Sequence, residues 1–277
     1  MKHRTLATIP FALLLAVGLA ACKPATPEAA DPAAAGADAP AATPSAPGAE
    51  ETERAAQAQQ EIAKLASDAG PPPVEGTDYV VIGNGQPFEA AAGKVEVVEV
   101  FNHVCPACAS FQPLVTAWKS SLPADVNFVY VPALFGGPFD TYARAFYAAE
   151  AMGVGEKAHD ALYRAIHIDR TLKGERGQDA PQDIARFYQA YGVDPTQFTE
   201  TMGSFAVEGK LAKAKQFAQR SGVDGTPTLI VAGKYRITSQ SRLDQVRVAN
   251  QLISMERSAA GGTAPEAAAP PAEGASN

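Results

Sequence analysis

The sequence predicts an α/β domain whose sheet is interrupted by a helical block. Three observations carry this. Two valine-rich runs of strand length, Lys94 to Phe101 and Val126 to Val131, flank a segment with apolar residues at helical spacing. A long stretch of helical spacing follows, about 138–221. Two further short apolar runs then surround a glycine turn and lead into a closing amphipathic helix.

Tyr79-Val80-Val81-Ile82 is a short strand and Lys94 to Phe101 a stronger one. The chain must turn after Phe101, and Pro106 suits the first turn of a helix. Cys108 to Ser121 places Phe111, Leu114, Val115 and Trp118 on one helical face, with a kink expected at Pro113. Strand, helix and strand in that order imply a parallel βαβ unit with a right-handed crossover. Helices are expected over Asp140 to Met152, Glu156 to Ile168, Gln182 to Tyr191, after the cap Asp194-Pro195, and over Ser204 to Ser221. Thr228 to Val231 and Tyr235 to Thr238 are strands around Ala232-Gly233-Lys234, and Leu243 to Met255 is the last helix. Residues 74–258 thus suffice for one domain with a sizeable core. The net charge of −7 argues against a nucleic-acid partner.

The ends differ in composition. Met1-Lys2-His3-Arg4, an apolar stretch from Ile9 to Ala20 and small residues before Cys22 follow the plan of an export signal over 1–21. The stretch is too short to span a bilayer, which takes ~20 apolar residues. Residues 22–73 read as a linker. Lys23 to about Glu50 holds Ala, Pro, Thr and Gly, too little apolar surface to offset ordering entropy, and so reads as disordered. Glu51 to Asp68 has Ile62 and Leu65 as its large apolar residues and is expected to be a transient helix, weakly docked at best. The segment 259–277 repeats the Ala/Pro/Gly bias and reads as a disordered tail.

Cys105-Pro106-Ala107-Cys108 is the motif that carries chemistry. A C-x-x-C pair opening a helix places one sulfur beside free backbone N–H groups and the positive end of the dipole, which favours its thiolate. Cys105 should therefore be the acidic, exchanging sulfur. Cys108, one turn deeper, resolves the mixed disulfide. Half a zinc site is the competing use, but zinc takes four ligands. The remaining cysteine is Cys22, and His103, His159 and His167 form no paired ligand motif. Ala109 stands where c-type haem attachment needs histidine. No metal or cofactor is expected.

With this dithiol at the first crossover helix, Glu99-Val100-Phe101-Asn102-His103-Val104 before it, and Gly222-Val223-Asp224-Gly225-Thr226-Pro227-Thr228 before the later hairpin, the chain resembles DsbA-type thiol:disulfide interchange proteins. The likeness covers about Tyr79 to Met255. It implies a thioredoxin-like fold with an inserted helical domain, and a cis-proline at Thr226-Pro227 beside the dithiol whose backbone binds substrate. An ordinary trans turn is the alternative there. The resemblance also implies that Glu99 is a buried acid that helps move the Cys108 proton; an exposed glutamate near a strand end remains equally open. Pro106 and Ala107 tune the potential. The family commonly has Pro-His between its cysteines, so Ala107 implies a higher Cys105 pKa and a less oxidising pair. His103 either lends positive charge to the thiolate or is a polar loop residue, and His159 and His167 are placed on a solvated helix face.

Leu19-Ala20-Ala21-Cys22 resembles the bacterial lipobox, which implies cleavage before Cys22 and lipidation of its thiol; a plain secretory signal is the alternative. Lys23 implies outer-membrane sorting, with the inner membrane as the other possibility. The expected function is disulfide formation in exported proteins from a lipid-anchored periplasmic position. The partners implied are unfolded cysteine-containing chains and a DsbB-like quinone-linked membrane oxidase. A reductase or isomerase of the cell envelope is the alternative within the same chemistry, and a copper-binding chaperone the one outside it.

Overall fold

Val95–Phe101 becomes an interior strand because most of it is apolar and both of its faces are covered. The structure, a computed structural model, describes residues 47–261. Among them the elements run α1 (Ala49–Ser67), β1 (Tyr79–Val81), β2 (Val95–Phe101), α2 (Pro106–Ser121), β3 (Val126–Pro132), α3 (Pro138–Ala151) and α4 (Gly155–His167). Then come α5 (Pro181–Gln189), α6 (Pro195–Met202), α7 (Phe205–Arg220), β4 (Thr228–Val231), β5 (Tyr235–Ile237) and α8 (Arg242–Ala259). The sheet order is β1-β5-β4-β2-β3. β2 and β3 are parallel, with Glu99 opposite Tyr130. β4 joins the other edge of β2 antiparallel, with Glu99 opposite Leu229. This is the thioredoxin-like arrangement, and α3–α7 form the helical block between β3 and β4.

One face of the sheet packs on α2 and α8 around Trp118, Phe111, Leu229 and Leu252. The other packs on α3 and α7 around Phe101, Phe146 and Phe217. A third cluster, built on Tyr142, Leu162, Ile184 and Phe198, holds the helical block together. Helix α2 runs unbroken from Pro106 to Ser121 through Pro113.

The expectation for 22–73 needs correcting in its second half. Residues 49–67 form a helix whose Ala58 and Ile62 are buried in the core cluster beneath α2 and α8. Arg164 clamps its first turn with two bonds to Glu51, Nη1 to Oε2 at 2.6 Å and Nη2 to Oε1 at 2.7 Å. Gln251 and Arg247 of α8 hold its far end, donating to the carbonyls of Ala69 and Pro71 at 2.6 and 2.7 Å. The small Ala58 lets the helix come close, so two buried side chains and polar clamps at each end suffice. The signal 1–21, Cys22, the first part of the linker and nearly all of the tail lie outside the described residues. No described helix is long and apolar enough to cross a membrane.

Candidate active site

The dithiol stands where β2 ends and α2 begins. Asn102, at the end of β2, fixes the loop between them. Its side chain donates to the carbonyls of Ala133 and Phe139 at 3.0 and 2.9 Å and accepts from the Val104 N–H at 3.1 Å. The Cys105 N–H donates to the Asn102 carbonyl at 3.1 Å. Cys105 is therefore held as the N-cap of α2, with Pro106 as first helical residue. Sequence reasoning passed over Asn102; a polar residue between a buried strand and the C-x-x-C was the available signal.

Both cysteines are free thiols here. Cys105 keeps 7% of its surface exposed and Cys108 none, so Cys105 is the sulfur that a large reactant can reach. The Cys108 N–H donates to Cys105 Sγ at 3.3 Å. The pKa of Cys105 falls to about 5: the Cys108 thiol bonded to it contributes most, burial opposes, and Thr226 with the backbone N–H groups of α2 adds to the lowering. Cys108 goes the other way, well above its ordinary value. Burial is the main cause; its bond to Cys105 and the nearby carboxyl of Glu99 add to it.

The peptide bond Thr226-Pro227 is cis, and the Thr226 carbonyl oxygen lies 3.4 Å from Cys105 Sγ. Residues more than a hundred positions apart thus share one small surface. Glu99 sits beneath it, fully buried on the interior strand β2, which removes the exposed alternative. Neither of its carboxyl oxygens has a hydrogen-bond partner among the described residues. Burial, then the Cys105 charge, raises its pKa to about 8, so at neutral pH it is mostly a neutral acid.

Two expectations about the histidines are overturned. His159 is not on a solvated face: it is buried, with Nδ1 3.2 Å from His103 Nε2, and its ring packs against Tyr130 with centroids 4.3 Å apart. His167, half-buried, donates from Nε2 to the His103 carbonyl at 2.7 Å. Nor does His103 bring positive charge. Its ring lies among Phe101, His159 and Tyr163, and burial followed by the neighbouring His159 and His167 drives its pKa well below 6.5. His159 is held to about 3 by the same burial. The pair is neutral and acts as packing. Pro106 is exposed and Ala107 half-buried, so neither offers the thiolate a charge.

A polar seam runs between α2 and α4. Gln112 donates from Nε2 to the Tyr130 hydroxyl at 3.2 Å and to Asp160 at 2.9 Å. Lys119 bonds Glu156 at 3.0 Å. A cleft of about 790 Å³ opens alongside, bounded by Pro106 and Ala109 of α2, Tyr163 and His167 of α4, and Gly48 and Glu51 at the start of α1.

Comparison with known proteins agrees with this geometry. The family described as DSBA-like thioredoxin domain matches residues 96–251. The thiol:disulfide interchange protein DsbA of Pseudomonas syringae pv. tomato is 40% identical over 199 residues, 71% of this chain and 90% of the relative. That of Burkholderia cepacia is 36% identical over 174 residues, covering 63% and 80%. Among solved structures, the oxidoreductase DsbA from Xylella fastidiosa superposes with a TM-score of 0.66 at 40% identity, over 68% of this chain and all of that one. Pseudomonas aeruginosa DsbA gives 0.61 at 38% identity, over 68% and 97%.

Proposed function

Since the chain belongs to the DSBA-like thioredoxin family and is a thiol:disulfide oxidoreductase, we propose that it forms disulfides in exported proteins through Cys105 and Cys108. The observation that carries this is the opposite acidity of two sulfurs one helical turn apart. In the oxidised enzyme a substrate thiolate attacks Cys105 Sγ. The Cys105–Cys108 bond breaks, and Cys108 leaves with the electron pair. Cys108 is a poor leaving group because its thiolate is disfavoured; the neutral Glu99 carboxyl supplies the proton it needs. A second substrate thiolate then attacks the substrate sulfur of the mixed disulfide, releasing Cys105 as its stabilised thiolate. The substrate has lost two electrons and the enzyme dithiol has gained them.

The stabilised thiolate favours the reduced enzyme and so makes the disulfide oxidising. Thr226 and Pro227, against the reacting sulfur, offer backbone for pairing with an extended substrate segment. A Cys105 pKa of about 5 lies between the ~3.5 of the strongest oxidants and the ~7 of thioredoxin. The potential is therefore expected between their ~−120 and ~−270 mV. The enzyme works in the periplasm, anchored through lipid on Cys22, with Lys23 favouring the outer membrane. A DsbB-like quinone-linked oxidase takes the two electrons back. Equilibration with glutathione tests the direction in vitro, and a potential near ~−270 mV refutes the oxidase reading. In cells, alkylation trapping should find Cys105 and Cys108 mostly as the disulfide; a mostly reduced pair means a reductase or isomerase.

A further inference from the structure

We infer that α1 fixes the point where the membrane tether leaves the folded body, and that this point is the pole bearing the dithiol. The anchored enzyme then presents Cys105 toward its own membrane. The inference rests on the reading that Cys22 carries lipid; the direction of α1 does not depend on it.

Contacts along the helices give that direction. Helices α2 and α4 are antiparallel: Lys119 meets Glu156, Gln112 meets Asp160, and His167, the last residue of α4, bonds the carbonyl of His103 two residues before Cys105. The C-terminal end of α4 therefore lies at the dithiol. Arg164, less than a turn before His167, is the residue that clamps Glu51 in the first turn of α1. At its other end α1 meets α8, where Gln251 bonds Ala69. The neighbouring Asn250 accepts from the Trp118 indole at 2.8 Å, deep in the second half of α2. So α1 runs parallel to α2, and Gly48 lies beside the first turn of α2. Consistent with this, Gly48 and Ala49 line the same cleft as Pro106 and Ala109.

Helix α1 lies N-terminal to the family match at 96–251. Gly48 follows Cys22 by 26 residues. Such a length reaches ~90 Å at most, at 3.3–3.6 Å per residue. Whatever path those residues take, a body held by one pole and excluded from the bilayer keeps that pole nearer the surface on average. A tether joining the fold at residue 74 would not impose this.

The experiment uses the mature chain, residues 22–277, with Cys105→Ser and Cys108→Ser. Cys22 is coupled to a maleimide lipid in phosphatidylcholine vesicles that carry an acceptor dye on a headgroup. A donor dye sits on an azide-bearing residue in place of Ile168, exposed at the dithiol pole, or of Ala124, exposed beyond the far end of α2. Higher energy transfer from 168 than from 124 is expected. Undocking α1 with Ile62→Asp should abolish the difference, and Glu51→Arg, which breaks the Arg164 clamp without touching the core, should reduce it. Equal transfer in the parent chain, or greater transfer from 124, overturns the inference. Incorporation of labelled palmitate at Cys22 in a Gram-negative host separately tests the anchoring reading, since the coupled lipid imposes attachment in the vesicle assay.

Discussion

Cys105 and Cys108 stand three residues apart on one helix, and their surroundings push them in opposite directions. Cys105, at the N-cap, faces backbone N–H groups, the Cys108 thiol and the Thr226 side chain, all of which favour its anion. Cys108 is one turn further in, without exposed surface, and faces Glu99; there an anion has little to stabilise it. A difference of one helical turn thus separates a sulfur suited to exchange from one that needs a proton to leave. The contrast comes from where solvent and donors stop, not from the residues themselves, which are identical.

The most severe way to break the contrast is to remove one sulfur at a time. Cys105→Ser should lower turnover of reduced, unfolded substrate by roughly 10³-fold or more. Cys108→Ser should still capture substrate thiols once its remaining sulfur is activated as a mixed disulfide, and should stall as adducts visible on non-reducing gels. Equal residual activity in the two variants would contradict the assignment of roles.

Glu99→Gln comes next. With no proton to give, exchange at neutral pH should slow by about 10²-fold, as for loss of a general acid. The deficit should shrink above pH 8, where the native carboxyl has itself ionised. Stability gives a second readout. The folded pKa of Glu99 lies above its unfolded value, so the folded state binds more protons between about pH 4.5 and 8 and loses stability as pH rises through that window. In the reduced protein Cys105 acts oppositely, since its folded pKa is depressed and stability rises with pH above about 5. Thermal unfolding should therefore show the oxidised protein weakening from pH 5 to 8 while the reduced protein changes less. In oxidised Glu99→Gln the decline should vanish. A retained decline would place the titrating group elsewhere.

Two smaller effects sharpen the picture. Ile62→Ala should destabilise by about 2 kcal/mol in denaturant melts through the cavity it leaves beneath α1, with Cys105 acidity unchanged. His103→Phe should shift that acidity by less than ~0.5 unit, because the ring it replaces is already neutral. A larger rise, read from alkylation rate against pH, would restore the cationic role.

Much of this was legible in the chain. The strand-helix-strand unit around the C-x-x-C stood out because its apolar periods change cleanly from strand to helix. Glu99 did not resolve from sequence: β2 is covered on both faces, so alternation carries no information about which side is buried. The histidines misled for a related reason. His159 and His103 are 56 residues apart and become partners only when α4 packs against the end of β2. The firm docking of helix α1 was not legible because Ala58 contributes little hydrophobicity yet permits the close approach that buries Ile62. The spacing of Ala58, Ile62 and Leu65 was the available signal.

The most direct measurement is a pH titration of thiolate absorbance in the reduced protein, with Cys105→Ser as the baseline. The account predicts one sulfur ionising near pH 5 that disappears in the variant, and a second that stays protonated well above pH 9. Ionisation of Cys105 near 8.5, as for a cysteine in water, would contradict it.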